Sequence, residues 1–203
     1  MKKTLVLLAG YPATGKTYLM DRIMERHPGD FAVTTPDEIK EQVWDECGFD
    51  NAAEKDALEL LVWERYYDRL ETCMAQGRQV LSDYPFSEKQ RPRLSQMADC
   101  YGYQVLTIRS LGDPEVLYAR SYARDMKQSR HLGHLVSRYH KGDVLEDRSQ
   151  ADALVTREVF LDRCQNKGYQ HFCLSSLIEV DATDVKAIDY ESLLDNIDAA
   201  LAA

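Results

Sequence analysis

The run Gly10-Tyr11-Pro12-Ala13-Thr14-Gly15-Lys16-Thr17 matches the pattern G-x-x-x-x-G-K-[ST] at every fixed position. Each residue type in it has a separate task. Gly10 and Gly15 permit backbone dihedrals and a close approach that a Cβ would block. Consecutive backbone N–H groups running into a helix N-terminus make a ready site for a phosphate. Lys16 adds a charge that reaches the terminal phosphates of a nucleoside triphosphate, and the Thr17 hydroxyl offers one position to Mg²⁺. The apolar residues Leu5–Ala9 before the run supply the strand this loop needs, and Tyr18, Leu19, Ile23 and Met24 supply the helix after it. Nucleotide contacts are expected from Gly10, Tyr11, Pro12, Ala13, Thr14, Gly15, Lys16, Thr17 and Tyr18.

Two acids and a set of bases add further chemistry. Asp37 stands in Thr35-Pro36-Asp37-Glu38-Ile39-Lys40, just past an apolar run and at a helix start, where an acid also complements the helix dipole. Asp83 closes Val80-Leu81-Ser82; it faces either a cation opposite Thr17 or the solvent of a turn before Pro85. Arg120 and Arg124, four apart, share one helix face, and Arg130 follows them. Guanidinium groups so placed can close over a transferring phosphoryl group and neutralise its charge. His131, His134 and His140 gather around Gly133 with Arg130, Arg138 and Lys141 among them. That cluster suits contact with phosphate or acceptor, a metal, or a plain solvated loop.

These residues need a scaffold, and the patterning describes one. Five short apolar runs, Thr4–Ala9, Phe31–Thr34, Gln79–Ser82, Gln104–Arg109 and Leu177–Val180, alternate with helical patterns. Their unbroken hydrophobicity is that of parallel strands covered on both faces. Leu58, Leu61, Val62, Tyr66, Leu70, Cys73 and Met74 recur at helical spacing between about Asn51 and Gln76, and Gly77 supplies a stop. Asp113-Pro114-Glu115 reads as the cap and first turn of another helix. Ser129–Ser149 is polar, basic and weakly periodic, the texture of an inserted lid.

Hydrophobic residues at 44% and charged residues at 29% of 203 exclude disordered, collagenous and coiled-coil classes. A net charge of −9 leaves no global footprint for duplex nucleic acid or an anionic membrane. Five scattered cysteines without a C-x-x-C pair argue against a disulfide framework and fit a reducing cytoplasm. Met1-Lys2-Lys3 before Leu5–Ala9 imitates a signal peptide, but the apolar run is too short and leads straight into the glycine-lysine loop.

The motifs also sort the chemistry. Asn166-Lys167 continues as Gly168-Tyr169, so no guanine-reading N-K-x-D occurs there. Tyr84, not the water-activating Glu of a motor-type ATPase, follows Asp83. With the loop Gly10–Thr17, Asp37, Asp83 and the helix bearing Asp113, Arg120 and Arg124 in this order, the chain resembles the small P-loop kinases. That group includes polynucleotide kinase, zeta toxin, chloramphenicol phosphotransferase and the gluconate and shikimate kinases. The resemblance implies an α/β fold with a five-stranded parallel sheet, order 2-3-1-4-5, in a single domain over 1–203 with a lid at about 120–149. It also implies transfer of the ATP γ-phosphoryl group to a hydroxyl of a small acceptor, with Asp37 as general base and Thr17 and Asp83 at Mg²⁺. Lys40 stands where those relatives usually carry Arg, and the turn Asp83-Tyr84-Pro85-Phe86-Ser87 lacks their Thr-Asn element, so acceptor contacts differ there. Lys40, Arg130, His131 and His134 are the acceptor-contact candidates. The alternative is an ATP-binding switch that orders a lid to dock a partner.

Overall fold

A computed structural model describes residues 3–203; Met1 and Lys2, where the leader-like run begins, lie outside the described residues. The strands β1 (Thr4–Gly10), β2 (Phe31–Val33), β3 (Gln79–Asp83), β4 (Gln104–Leu111) and β5 (Ser176–Asp181) pair in parallel in the order β2-β3-β1-β4-β5. The helices are α1 (Lys16–Arg26), α2 (Pro36–Cys47), α3 (Ala52–Ala75), α4 (Arg91–Tyr101), α5 (Pro114–Asp125), α6 (Arg157–Asn166) and α7 (Tyr190–Ala202). Among the described residues no helix is long and apolar enough to cross a membrane. Cys47, Cys73, Cys100, Cys164 and Cys173 are all free.

Successive side chains of a strand point to opposite faces, and β1 shows why it must be apolar throughout. Leu5, Leu7 and Ala9 pack against one side, with Ile39 and Val43 of α2, Val62, Tyr66, Leu70 and Met74 of α3, and Leu94 of α4. Val6 and Leu8 pack against the other side, with Leu19 and Ile23 of α1 and Leu193, Leu194 and Ile197 of α7. The spacing Val62, Tyr66, Leu70, Met74 is a four-residue stripe, as predicted over Asn51–Gln76. Asn51 Oδ1 caps this helix by accepting from the Glu54 N–H at 3.0 Å, and Gly77, at φ 70°, ends it.

Two smaller clusters attach the remaining segments. Leu117 of α5 packs on Phe160 and Cys164 of α6. Trp44 of α2 and Phe49 just after it pack with Leu132, Leu135, Tyr139 and Ala151. The stretch read as an inserted lid is therefore irregular, anchored through Leu132, Leu135 and Tyr139, with short 3₁₀ turns at Leu132–His134 and Arg148–Gln150. Its weak periodicity reflects a backbone that is neither helix nor strand, so its apolar residues follow no period.

Register brings the chemistry to one edge. Leu8 is opposite Asp83 across β1 and β3, and Gly10 is opposite Ser110 across β1 and β4. These are the carboxyl ends of the strands, where the connections after β1 and β3 diverge. Ligand sites of open α/β sheets lie in this crevice.

Candidate active site

The loop after β1 carries its own strain. Gly10 sits at φ 103°, and a Cβ there would lie 2.0 Å from the Ser110 carbonyl oxygen. Gly10→Ala therefore combines backbone strain of about 1–3 kcal/mol with overpacking of about the same size. The expected fall in Tm is about 4 °C or more, measured by thermal unfolding; an unchanged Tm would contradict this packing. Ala13 holds φ 62° without being glycine, a conformation that persists only where the surroundings impose it.

Helix α1 starts directly from this loop. Its N-cap, Gly15, is left-handed (φ 82°, ψ 20°), and no side chain bonds to the N–H groups of its first turn. By contrast Thr35, Asn51, Asp113, Thr156 and Asp189 each cap their helix with a side-chain oxygen. The uncapped donors of α1, with the positive end of its dipole, are thus free for an anion. The Lys16 ammonium is buried and donates to the Tyr11 carbonyl at 2.7 Å, which also accepts from Thr14 Oγ1 at 2.9 Å. Burial pushes the Lys16 ammonium down, while Asp83 and Asp37 pull it back up.

A cavity of about 600 Å³ opens above the loop. It is lined by residues 12–18 of the loop and by Asp37, Asp83, Tyr84, Pro85, Arg120, Arg124, Lys127, Arg130, Arg163 and Tyr169. Thr17 Oγ1 donates to Asp83 Oδ2 at 2.9 Å. Burial raises the Asp83 carboxyl, against the lowering effect of Lys16 and Thr17. A hydroxyl and a desolvated carboxylate side by side are hard oxygen donors of the kind Mg²⁺ takes, and a dication there relieves the buried charge. The residues fit that ion.

Asp37 enters the cavity from the first turn of α2, whose cap is Thr35 Oγ1 accepting from the Glu38 N–H at 3.2 Å. Burial alone would raise its carboxyl, but His134, Lys40, Arg130 and Arg124 together outweigh it and hold Asp37 below the usual carboxylate range. Asp37 is therefore the more readily ionised of the two cavity acids.

The two arginines of α5 share a face and differ in task. Arg120 donates to the main-chain carbonyls of Ala182 and Thr183, fixing the loop after β5. Beside that loop lies a mostly apolar cleft of about 490 Å³ between Tyr18, Val185, Ile188 and Tyr190. Arg124 donates to Asp125 Oδ1 at 3.0 Å and Ser121 Oγ at 3.3 Å, so its guanidinium stays in the cavity beside Lys16. Both line the cavity, Arg120 while holding the loop after β5 and Arg124 with its protein partners on α5 alone.

A family model described as AAA domain matches residues 5–138 of this sequence. The chain belongs to the AAA domain family. No curated protein matches it by sequence. Among solved structures this AAA-domain chain is similar to a protein of Chloroflexus aurantiacus J-10-fl assigned provisionally as a kinase: TM-score 0.74, 21% identity, 98% of each chain covered. It is also similar to a gluconokinase from Sinorhizobium meliloti 1021 (TM-score 0.56, 13% identity, 100% and 94% covered). A third likeness is to a sugar kinase from Janibacter sp. HTCC2649 (TM-score 0.54, 12% identity, 97% and 92% covered). The fold of the AAA-domain chain is thus that of the small P-loop kinases, with the sheet order expected from the sequence.

The expected acceptor contacts divide. Arg130 lines the cavity, whereas Lys40, His131 and His134 do not. Lys40 lies behind Tyr84, donating to Tyr84 Oη at 3.1 Å and pairing with Glu59 at 3.1 Å. Lysine suffices for this bridge, and the pair holds Tyr84 on the cavity wall. His134 Nε2 meets Glu41 Oε1 at 2.8 Å and His131 Nε2 meets Asp45 Oδ1 at 3.1 Å. His131 Nδ1 accepts from the Gly133 N–H at 3.1 Å, which leaves Nε2 as the donor to Asp45. Both histidines thus tie the 130–139 segment to the acidic face of α2, a pairing invisible in local patterning. Arg91 and Arg93 of α4 do not line the cavity. Lys127, Arg163 and Tyr169 line it without any motif to announce them.

Proposed function

We propose that this AAA-domain protein is a Mg²⁺- and ATP-dependent phosphotransferase that moves the γ-phosphoryl group to a hydroxyl of a small acceptor. The observation that carries this reading is the placement of an ionised Asp37 in one cavity with Lys16, Thr17, Asp83 and Arg124. Lys16 and the α1 N–H groups bind the β- and γ-phosphates, and the cleft by Tyr18 and Tyr190 receives the base. Thr17 and Asp83 hold Mg²⁺, which supplies charge neutralisation on the phosphate oxygens when bound. Asp37 accepts the proton of the acceptor hydroxyl as its oxygen bonds to γ-phosphorus, the β–γ bridging bond breaks and ADP leaves. Arg124 neutralises charge on the phosphoryl group in transit. Closure of the 120–149 region over the acceptor excludes water. The free cysteines fit a reducing cytoplasm, and the net charge of −9 fits a small acceptor better than duplex nucleic acid.

The test is ADP release in MgATP with and without hydroxyl compounds. Acceptor-stimulated release supports the enzyme. Tight nucleotide binding with no stimulation by any compound favours the switch reading instead.

A further inference from the structure

This acidic chain usually pairs its arginines. Arg22, Arg26, Arg65, Arg91 and Arg109 each meet a carboxylate within 2.7 Å. In the cavity, Arg130 is paired at longer range. Arg130 is largely buried, its Nε makes no hydrogen bond, and its nearest carboxylates, Asp125 and Glu41, stand at 3.7 and 3.8 Å. Those two acids are already engaged, Asp125 by Arg124 at 3.0 Å and Glu41 by His134 at 2.8 Å. Lys127 of the 126–130 stretch and Arg163 of α6 line the same cavity, and neither makes an ion pair among the described residues.

A buried guanidinium without good partners is costly, and like charges gathered in one cleft repel. Such an arrangement persists where an anion completes it. The triphosphate has its own partners in Lys16, Arg124, the α1 amides and the cation at Thr17 and Asp83. Arg130, which also faces Asp37, and the more exposed Lys127 and Arg163 are in excess of that set. Tyr169 lines the cavity as well, within electrostatic reach of Arg163, Tyr84 and Lys40.

We propose that the acceptor carries an anionic group, a phosphate ester or a carboxylate, besides its reacting hydroxyl, and that Arg130, Arg163 and Lys127 hold this group. The assignment rests on the phosphotransferase reading above and narrows it to a substrate class.

Matched pairs test it: ribose against ribose 5-phosphate, adenosine against AMP, and glycerol against glycerate, each read as ADP release from MgATP. The charged member of at least one pair is expected to stimulate tenfold or more above its neutral partner. The phosphate and carboxylate arms then identify the group. Arg163→Met is expected to raise KM for that acceptor tenfold or more, with KM for MgATP moving less than twofold. Equal stimulation by neutral partners overturns the anionic acceptor and leaves the phosphotransferase standing. An equal rise in both KM values also overturns it, because the cations then serve the nucleotide. No stimulation by any member counts against the phosphotransferase reading itself, and this assignment falls with it.

Discussion

Asp37→Asn is expected to lower kcat by about 10²–10⁴-fold, the range for a lost general base, while leaving MgADP affinity by calorimetry within twofold. The substitution keeps shape and removes only the proton acceptor, so binding and chemistry separate cleanly. The pH dependence carries the same signature. His134, Lys40, Arg130 and Arg124 overcome burial and hold the Asp37 carboxyl below its ordinary value, so the wild-type acid limb of kcat/KM falls below about pH 4. The sign for stability is the same. A carboxyl lowered on folding contributes stability above its unfolded pKa, and that contribution is lost as pH falls through the folded value. An acid limb above the ordinary carboxylate range would assign the base to Asp83, whose carboxyl burial raises.

Lys16→Met is expected to cost about 10³-fold or more in kcat/KM, on the scale of a charged group withdrawn from a transferring phosphoryl. Its effect on stability has the opposite sense. Lys16 is 6% exposed and its charge is held there against desolvation, so a methionine of similar length leaves Tm unchanged or higher. The Tyr11 carbonyl keeps the Thr14 hydroxyl as a donor when the ammonium is gone. Thermal unfolding beside the kinetics separates the two effects. An inactive variant that also melts early would mean that Lys16 holds the loop together instead of serving the phosphates.

The parts of this site that were legible in the sequence are those whose chemistry is local. The loop Gly10–Thr17 declares itself because its tasks belong to consecutive residues, and the apolar runs declare parallel strands because both faces are covered. Asp37 and Asp83 follow from their places at strand ends, which the sheet order brings to one edge. Arg163 and Tyr169 were not legible. They reach the cavity only because Leu117 packs on Phe160 and Cys164, a contact between helices separated by more than thirty residues. The histidines stayed ambiguous for a related reason. A polar, basic stretch reads as solvated, yet its partners Glu41 and Asp45 lie on α2, and its apolar residues Leu132, Leu135 and Tyr139 pack on Trp44 and Phe49. The pair Arg120 and Arg124 looked equivalent by spacing, and only the carbonyls of Ala182 and Thr183 tell them apart.

Phosphoryl transfer is decided most directly by following the γ-phosphorus itself. With γ-³²P-labelled ATP, Mg²⁺ and the best-stimulating hydroxyl compound, the label is expected in an organic phosphate ester. It should be lost from that ester in Asp37→Asn. Label recovered only as inorganic phosphate, at the same rate with and without the compound, would contradict a phosphotransferase.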